Sequence, residues 1–274
     1  MTEQTLHELL TAVAIGELTP TEAEAELAGY VTDDAGRFDA AREQRSGVPE
    51  AVLATGKTAA EVTALATTSL ETTGRAIVTR VDATQREILL EQLSAEFPEA
   101  TLFPDESTTP YERASTVVAH GSTFERPSLA ARIGVVTAGT SDAVPAGEAE
   151  IIAQEVGTTV TRFDDIGVAS LTRTLDQLPK LREQDVLVVA AGREGALPTV
   201  VAGLVDVPVI GLPVSTGYGH GGQGEAALSG MLQSCTALSV VNIDAGFTAG
   251  VQAGLIARQL DQARNSTLEP QTSE

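Results

Sequence analysis

The sequence predicts an α/β protein, with a five-stranded parallel sheet in its C-terminal half and a smaller N-terminal α/β domain. Three observations carry this. Five short C-terminal runs are almost wholly apolar and β-branched. They alternate with helix-like segments, and each ends in a cluster of Gly, Ser, Thr or acidic residues. Strands without polar alternation are buried on both faces, which requires helices above and below a parallel sheet.

The strands are "IGVVTA" (133–138), "TTVTRF" (158–163), "DVLVVAAG" (185–192), "VPVIGLPV" (207–214) and "LSVVNID" (238–244). Their apolar density and turn-rich borders mark them as strands. Between them "SDAVPAGEAEIIAQEVG", "ASLTRTLDQLPKLREQ", "EGALPTVVAGLVD" and "EAALSGMLQSC" read as helices, and "TAGVQAGLIARQLDQAR" as a closing helix. This is a flavodoxin- or Rossmann-like arrangement, and such sheets bind ligands at the carboxyl ends of their strands. Those ends read "TAGTSD", "FDDIGVAS", "AAGREGALP", "PVSTGYGHGGQGE" and "NIDAGFTAG".

The first 120 or so residues read differently. "TLHELLTAVAIGE" and "TPTEAEAEL" are short amphipathic helices, the second with Pro20 at its start. After "GRFDAAREQRSGVPEAVLATGKT" come a helix near 59–72, the strand "RAIVTRVD" (75–82), a helix near 83–96, and "ASTVVAHG" (114–121). The expected organisation is an N-terminal domain at 1–121, a linker "STFERPSLAA" at 122–131, a catalytic domain at 132–265 and a polar tail at 266–274.

The chain carries 38 acidic against 17 basic residues, a formal net charge of -21. Such a surface repels nucleic acid and anionic membranes, so neither is expected as a partner. It is the composition that a salt-rich, haloarchaeal cytoplasm would favour, because screening makes dense acidity tolerable. One cysteine permits no internal disulfide, as in a reducing cytosol. No apolar run approaches the roughly 20 residues of a membrane span, and the N-terminus lacks signal-peptide features. The expected location is the cytoplasm.

Several loops carry chemistry. "ATGKT" ends like a phosphate-binding loop, but Ala51 stands where the first glycine of that motif is needed. Lys57 is one of two lysines in the chain, and reads equally as a surface residue or a specific cationic contact. "GTSD" after the first C-terminal strand suits anion capture, with Thr140 and Ser141 facing a phosphate or carboxylate at a helix start. Asp142 is either an N-cap or a ligand contact. "STGYGHGGQG" holds five glycines in ten residues, as expected of a loop closing over substrate. His7, His120 and His220 are far apart and no metal-ligand spacing occurs, so no tightly bound metal is expected. A magnesium ion travelling with substrate phosphates is compatible with the chain.

"GTSD", "AAGREGALPTVVAGL" and "PVIGLPV" resemble segments of the AIR carboxylase (PurE) family. "RFDAAREQRSGVPEAVLATGKT", "GYG", "MLQSC" and "VVNIDAGF" resemble more narrowly the LarB family, over roughly residues 35–260. That family starts synthesis of the nickel-pincer nucleotide cofactor. The resemblance implies carboxylation of the pyridinium ring of nicotinic acid adenine dinucleotide with CO2 or bicarbonate, and hydrolysis of its phosphoanhydride. The products would be pyridinium-3,5-biscarboxylic acid mononucleotide and AMP.

By the same resemblance Cys235 is the nucleophile and Glu194 a base for the ring proton or a ribose contact. Asp142, Ser141 and Thr140 bind the nicotinate ribose, phosphate or carboxylate. Gly192 and Gly195 allow close approach to the ring, Gly217 and Gly219 belong to the closing loop, and Arg45 and Lys57 contact phosphates. The relatives form octamers with shared sites, which implies a homo-oligomer here.

Two departures stand out: Thr172 replaces a family histidine, and Arg193 a usually apolar residue. An AIR carboxylase-like purine enzyme and a non-catalytic nucleotide-binding regulator are the rival readings, and the missing histidine weighs against the first. Cys235 also falls at the end of the fourth helix, before the last strand, across a helix of roughly 15 Å from the predicted pocket.

Overall fold

In the computed structural model the described residues are 6–20, 23, 29–33, 36–103 and 115–268. The chain divides into two compact units. The smaller holds the described residues up to 103 together with 117–124, and the larger holds 115–116 and everything described from 125 onward.

In the smaller unit, helix α1 spans Leu6–Ile15, and an antiparallel hairpin follows from β1 (Val31–Asp33) and β2 (Gly36–Phe38). The helix expected over 19–27 falls largely outside the described residues. Next come α2 (Arg42–Ser46), β3 (Val52–Leu53), α3 (Ala59–Thr73), β4 (Arg75–Thr79), α4 (Ala83–Glu96), β5 (Thr101–Phe103) and β6 (Val117–His120). The sheet order is β3-β4-β6-β5, with β3 parallel to β4 and the other pairs antiparallel. Strand β4 is buried at all five positions because α3 and α4 close over it with Val62, Ala66, Leu70, Leu89 and Leu93.

The larger unit runs β7 (Arg132–Thr137), α5 (Ala143–Val156), β8 (Thr159–Phe163), α6 (Leu171–Leu181), β9 (Val186–Ala191), α7 (Ala196–Ala202), β10 (Val209–Pro213), α8 (Glu225–Leu232), β11 (Leu238–Val240) and α9 (Gly246–Leu268). Its five strands are all parallel in the order β11-β10-β9-β7-β8. That is the doubly wound flavodoxin-like order, and it reverses direction between β7 and β9.

Two cores follow from the period of two along each strand. Ile133, Val135, Val186, Val188, Ile210 and Leu212 face α5 and α9. Val136, Leu187, Val189 and Val209 face the other way, against Leu181, Leu197, Val201 and Met231 of α6, α7 and α8. Fully burying a Leu or Ile side chain contributes about 1.5–3 kcal/mol. These paired layers therefore hold the strand ends in fixed register and present their loops along one edge.

Candidate active site at the carboxyl edge

The β7–α5 loop builds the first wall. Thr140–Asp142 form one 3-10 turn after Gly139. Asp142 is 3% exposed, whereas Thr140 and Ser141 are exposed. One oxygen of Asp142, Oδ2, accepts from the Gly139 amide at 2.9 Å, and Oδ1 accepts from the Thr216 hydroxyl at 3.4 Å. Burial raises the Asp142 pKa above its ordinary range, against hydrogen bonds from Gly139, Thr216 and Ser141 that lower it.

Thr216 belongs to the β10–α8 loop, so Asp142 ties the two loops together. The β9–α7 loop joins them through backbone. A Cβ on Gly192 would stand 3.3 Å from the Thr216 hydroxyl oxygen, and one on Gly217 would stand 3.0 Å from the Arg193 nitrogen. Asp244, in the loop after β11, accepts from the Ser215 amide at 2.9 Å. Sequence reasoning passed over Thr216 and Asp244. The signal for both was present, since each is a small polar residue just past a strand.

Gly192, Gly217, Thr140, Ser141 and Asp142 are thus brought to one edge, and Glu194 is exposed beside them. Gly195 answers a packing need. Its φ is +68°, and a Cβ there would meet the Ala227 carbonyl oxygen of α8 at 2.5 Å. Gly219 has φ +82° with open space around it, beside Tyr218, whose ring lies 4.1 Å from the Arg193 guanidinium. Thr172 is exposed in the first turn of α6, after β8.

The backbone at this edge is unusual. Asp165, Arg193, Gln223 and Asp244 all have positive φ although none is glycine. One follows β8, one β9, one lies in the β10–α8 loop, and one follows β11. Left-handed non-glycine residues of this kind gather at ligand sites and switch regions. Moreover α5, α6, α7 and α8 all begin without a side-chain cap. Helix starts leave unpaired N–H groups and a partial positive charge, which suits an anionic ligand.

The comparisons with known proteins agree with this architecture. Residues 132–274 match the AIR carboxylase family, and residues 30–109 match the LarB/PurE-like N-terminal domain. The chain is 36% identical over 259 residues to an uncharacterized protein of Methanocaldococcus jannaschii, covering 92% of this chain and 97% of that one. This chain belongs to the LarB family. Its larger unit is the AIR carboxylase-like part of such a protein, and its smaller unit carries the LarB/PurE-like N-terminal domain.

Cys235 lies elsewhere in the larger unit, and Lys57 and Arg45 belong to the smaller unit. Cys235 is exposed in the bend between α8 and β11. Ser234 and Thr236 share a hydroxyl hydrogen bond of 2.7 Å across it, and the Thr236 amide donates to the Ser234 hydroxyl at 3.2 Å. The bend is thereby locked with the cysteine at its apex. It precedes β11, whose Leu238 pairs with Val209 at the start of β10. The thiol therefore sits at the amino edge, one sheet depth of roughly 16 Å from the carboxyl edge. Within one chain the larger unit does not bring Cys235 to Asp142 and Glu194.

In the smaller unit, the Lys57 ammonium donates to the Leu53 carbonyl at 2.8 Å. The helix start beside it is already satisfied: Glu61 Oε2 accepts from the Thr58 amide and hydroxyl, both at 2.8 Å. A Walker-like anion site is therefore occupied by the chain's own carboxylate. Arg45 pairs with Asp39 through two hydrogen bonds, at 3.1 and 2.6 Å.

Among the described residues no group of three or more His, Cys, Asp and Glu is arranged to hold a metal ion, and no helix is long and apolar enough to cross a membrane. Asp142 has both oxygens hydrogen-bonded within its own loops.

Proposed function

We propose that this protein carboxylates the pyridinium ring of nicotinic acid adenine dinucleotide at carbon 5 and hydrolyses its phosphoanhydride. The products are pyridinium-3,5-biscarboxylic acid mononucleotide and AMP, the first step toward the nickel-pincer nucleotide. The observation that carries the reading is one polypeptide holding both LarB-family parts, with its lone cysteine exposed at the apex of a locked bend.

A pyridinium ring is electron-poor and does not attack CO2. Addition of the Cys235 thiolate to the carbon beside position 5 forms a C–S bond and makes carbon 5 enamine-like. Carbon 5 then bonds to CO2. A base, assigned to Glu194, takes the ring proton, and the returning electron pair expels the thiolate. A thiolate suits this because it both adds and leaves readily. The net change is uptake of CO2 and release of one proton, and water cleaves the phosphoanhydride separately. Thr140, Ser141 and the uncapped helix starts hold the nicotinate half, with Asp142 fixing their loop against Thr216.

Because Cys235 lies at the opposite sheet edge from Glu194, the working site is composed from two copies of the chain, and the protein acts as a homo-oligomer. Cys235→Ser is expected to remove carboxylated product by at least ~1,000-fold, as loss of a covalent nucleophile does. Mass spectrometry of enzyme incubated with the dinucleotide and bicarbonate would read adduct and product together. Mixing Cys235→Ser with Glu194→Gln subunits, each inactive alone, should restore part of the activity. Normal turnover by Cys235→Ser would refute the nucleophile, and a fully active monomer would refute the composite site.

A further inference from the structure

The smaller unit carries an open surface pocket of about 390 Å³ lined by Tyr30, Arg37, Asp39 and Arg45. Its construction follows from the hairpin. Val31 pairs with Phe38, so Tyr30 and Asp39 flank its open end. Phe38 is 3% exposed and faces the core. Side chains alternate along a strand, so Arg37 and Asp39 share the opposite face. Gly29 brings Tyr30 in, since its carbonyl accepts from the Ala41 amide at 2.8 Å and a Cβ there would overlap that of Ala41.

The cations near this pocket are not equivalent. Arg42 pairs with Glu50 at 2.9 Å and Arg75 pairs with Glu43. Asp39 grips two N–H groups of Arg45, leaving the other three of its five donors. Arg37 is exposed, and its one contact among the described residues is the Tyr30 ring, 5.0 Å from its guanidinium carbon. Two guanidinium groups against one carboxylate thus line this open pocket, with Glu50 nearby but paired to Arg42, in a chain whose net charge is -21. Such a local excess of positive charge recruits an anion that the rest of the surface repels. The flat faces of Tyr30 and Arg37 add stacking for an aromatic ring.

We propose that this pocket is an adenylate site, in which Arg37 and Arg45 hold a 5′-phosphate and Tyr30 stacks with the purine. This rests on the reading of the protein as a dinucleotide-cleaving carboxylase, and assigns to the smaller unit a site for the AMP product. Neutral adenosine is a poor ligand here, because the site's selectivity lies in its two cations.

The test is photolabelling of the full-length chain with 8-azidoadenosine 5′-monophosphate, without dinucleotide, followed by peptide mapping. Saturable label within residues 29–47 is expected, protected by AMP and at least tenfold less well by adenosine or by inorganic phosphate. Arg37→Gln, a change at an exposed position, should raise the AMP concentration giving half protection at least tenfold, and Tyr30→Leu should do the same. Label confined to residues 138–142, 192–195 or 215–224 would overturn the proposal. So would unaltered protection in Arg37→Gln, or no saturable label at millimolar probe. A chain that turns over the dinucleotide without this label keeps its proposed reaction and loses this site. A chain with the label and no carboxylated product does the reverse.

Discussion

Two helices of the smaller unit and four of the larger start in opposite ways. In the smaller one, α3 and α4 open with complete capping boxes, Thr58 with Glu61 and Asp82 with Gln85. The N-cap and N3 amides of each are satisfied by the chain's own side chains. In the larger one, α5 to α8 open at the carboxyl edge with no side-chain cap, amid four non-glycine residues of positive φ. Caps stabilise a helix start by about 1 kcal/mol each. Their absence along one edge marks where stability has been given up for binding, and their presence marks scaffold.

The largest effect expected from this contrast is on two left-handed glycines. Gly195 at the edge and Gly56 in the smaller unit have φ of +68° and +79°. A Cβ at Gly56 meets nothing within 4 Å, whereas at Gly195 it meets backbone of α8. Gly56→Ala should cost only the left-handed conformation, about 1 kcal/mol. Gly195→Ala must also displace α8, and should cost about 2–3 kcal/mol, lowering the melting temperature by roughly 5–10 °C. Equal melting temperatures for the two variants would show that the α7–α8 approach is loose.

A smaller effect separates the helix starts themselves. Ser141→Glu puts a carboxylate at the uncapped β7–α5 turn, on an exposed position that leaves the fold intact. It should lower kcat/KM for the dinucleotide about tenfold, since charge at a helix start is worth of order 1 kcal/mol. Thr58→Ala is the counterpart in the smaller unit, expected to lower the melting temperature by about 2–4 °C and leave kcat/KM unchanged. If Thr58→Ala changed kcat/KM and Ser141→Glu did not, the contrast between the units would be inverted.

The same contrast governs what could be read from the sequence. The central strands β7, β9 and β10 stand out as apolar runs because each is covered on both faces, whereas the edge strands β8 and β11 are partly exposed, with Thr159 and Thr161 of β8 open to solvent. Strands β1, β2, β3 and β5, of two or three residues, leave no periodic signature, so "GRFDAAREQRSGVPEAVL" showed neither its hairpin nor α2. The edge position of Cys235 followed from chain order alone, since a residue before a parallel strand lies at its amino end. The pocket of Tyr30, Arg37, Asp39 and Arg45 did not, because it depends on hairpin register and on the Gly29–Ala41 contact. The capping boxes follow the spacings T-x-x-E and D-x-x-Q, which the structure identifies as helix starts. Their significance emerges only when set beside helices that lack them.

The smallest effect tests Asp142, an acid of the edge loops that is almost fully buried. Desolvation raises its pKa above the ordinary 3.8, so the folded state holds a proton that the unfolded chain has already released. Its contribution to stability is therefore full below about pH 3.8 and is lost as pH rises through the raised value. At neutral pH the buried charge works against the fold. Asn keeps the shape and an oxygen to accept from the Gly139 amide while removing that charge. Asp142→Asn should melt a few degrees above the parent at pH 7, with the gap closing at acid pH, as calorimetry across pH would show. Its turnover of the dinucleotide should fall in the same assay. A variant both more stable and less active would identify a carboxylate retained at the edge for its chemistry, whereas Asp82, capping α4, serves structure alone. A variant less stable at pH 7 than the parent would instead make Asp142 a structural tie between the β7 and β10 loops.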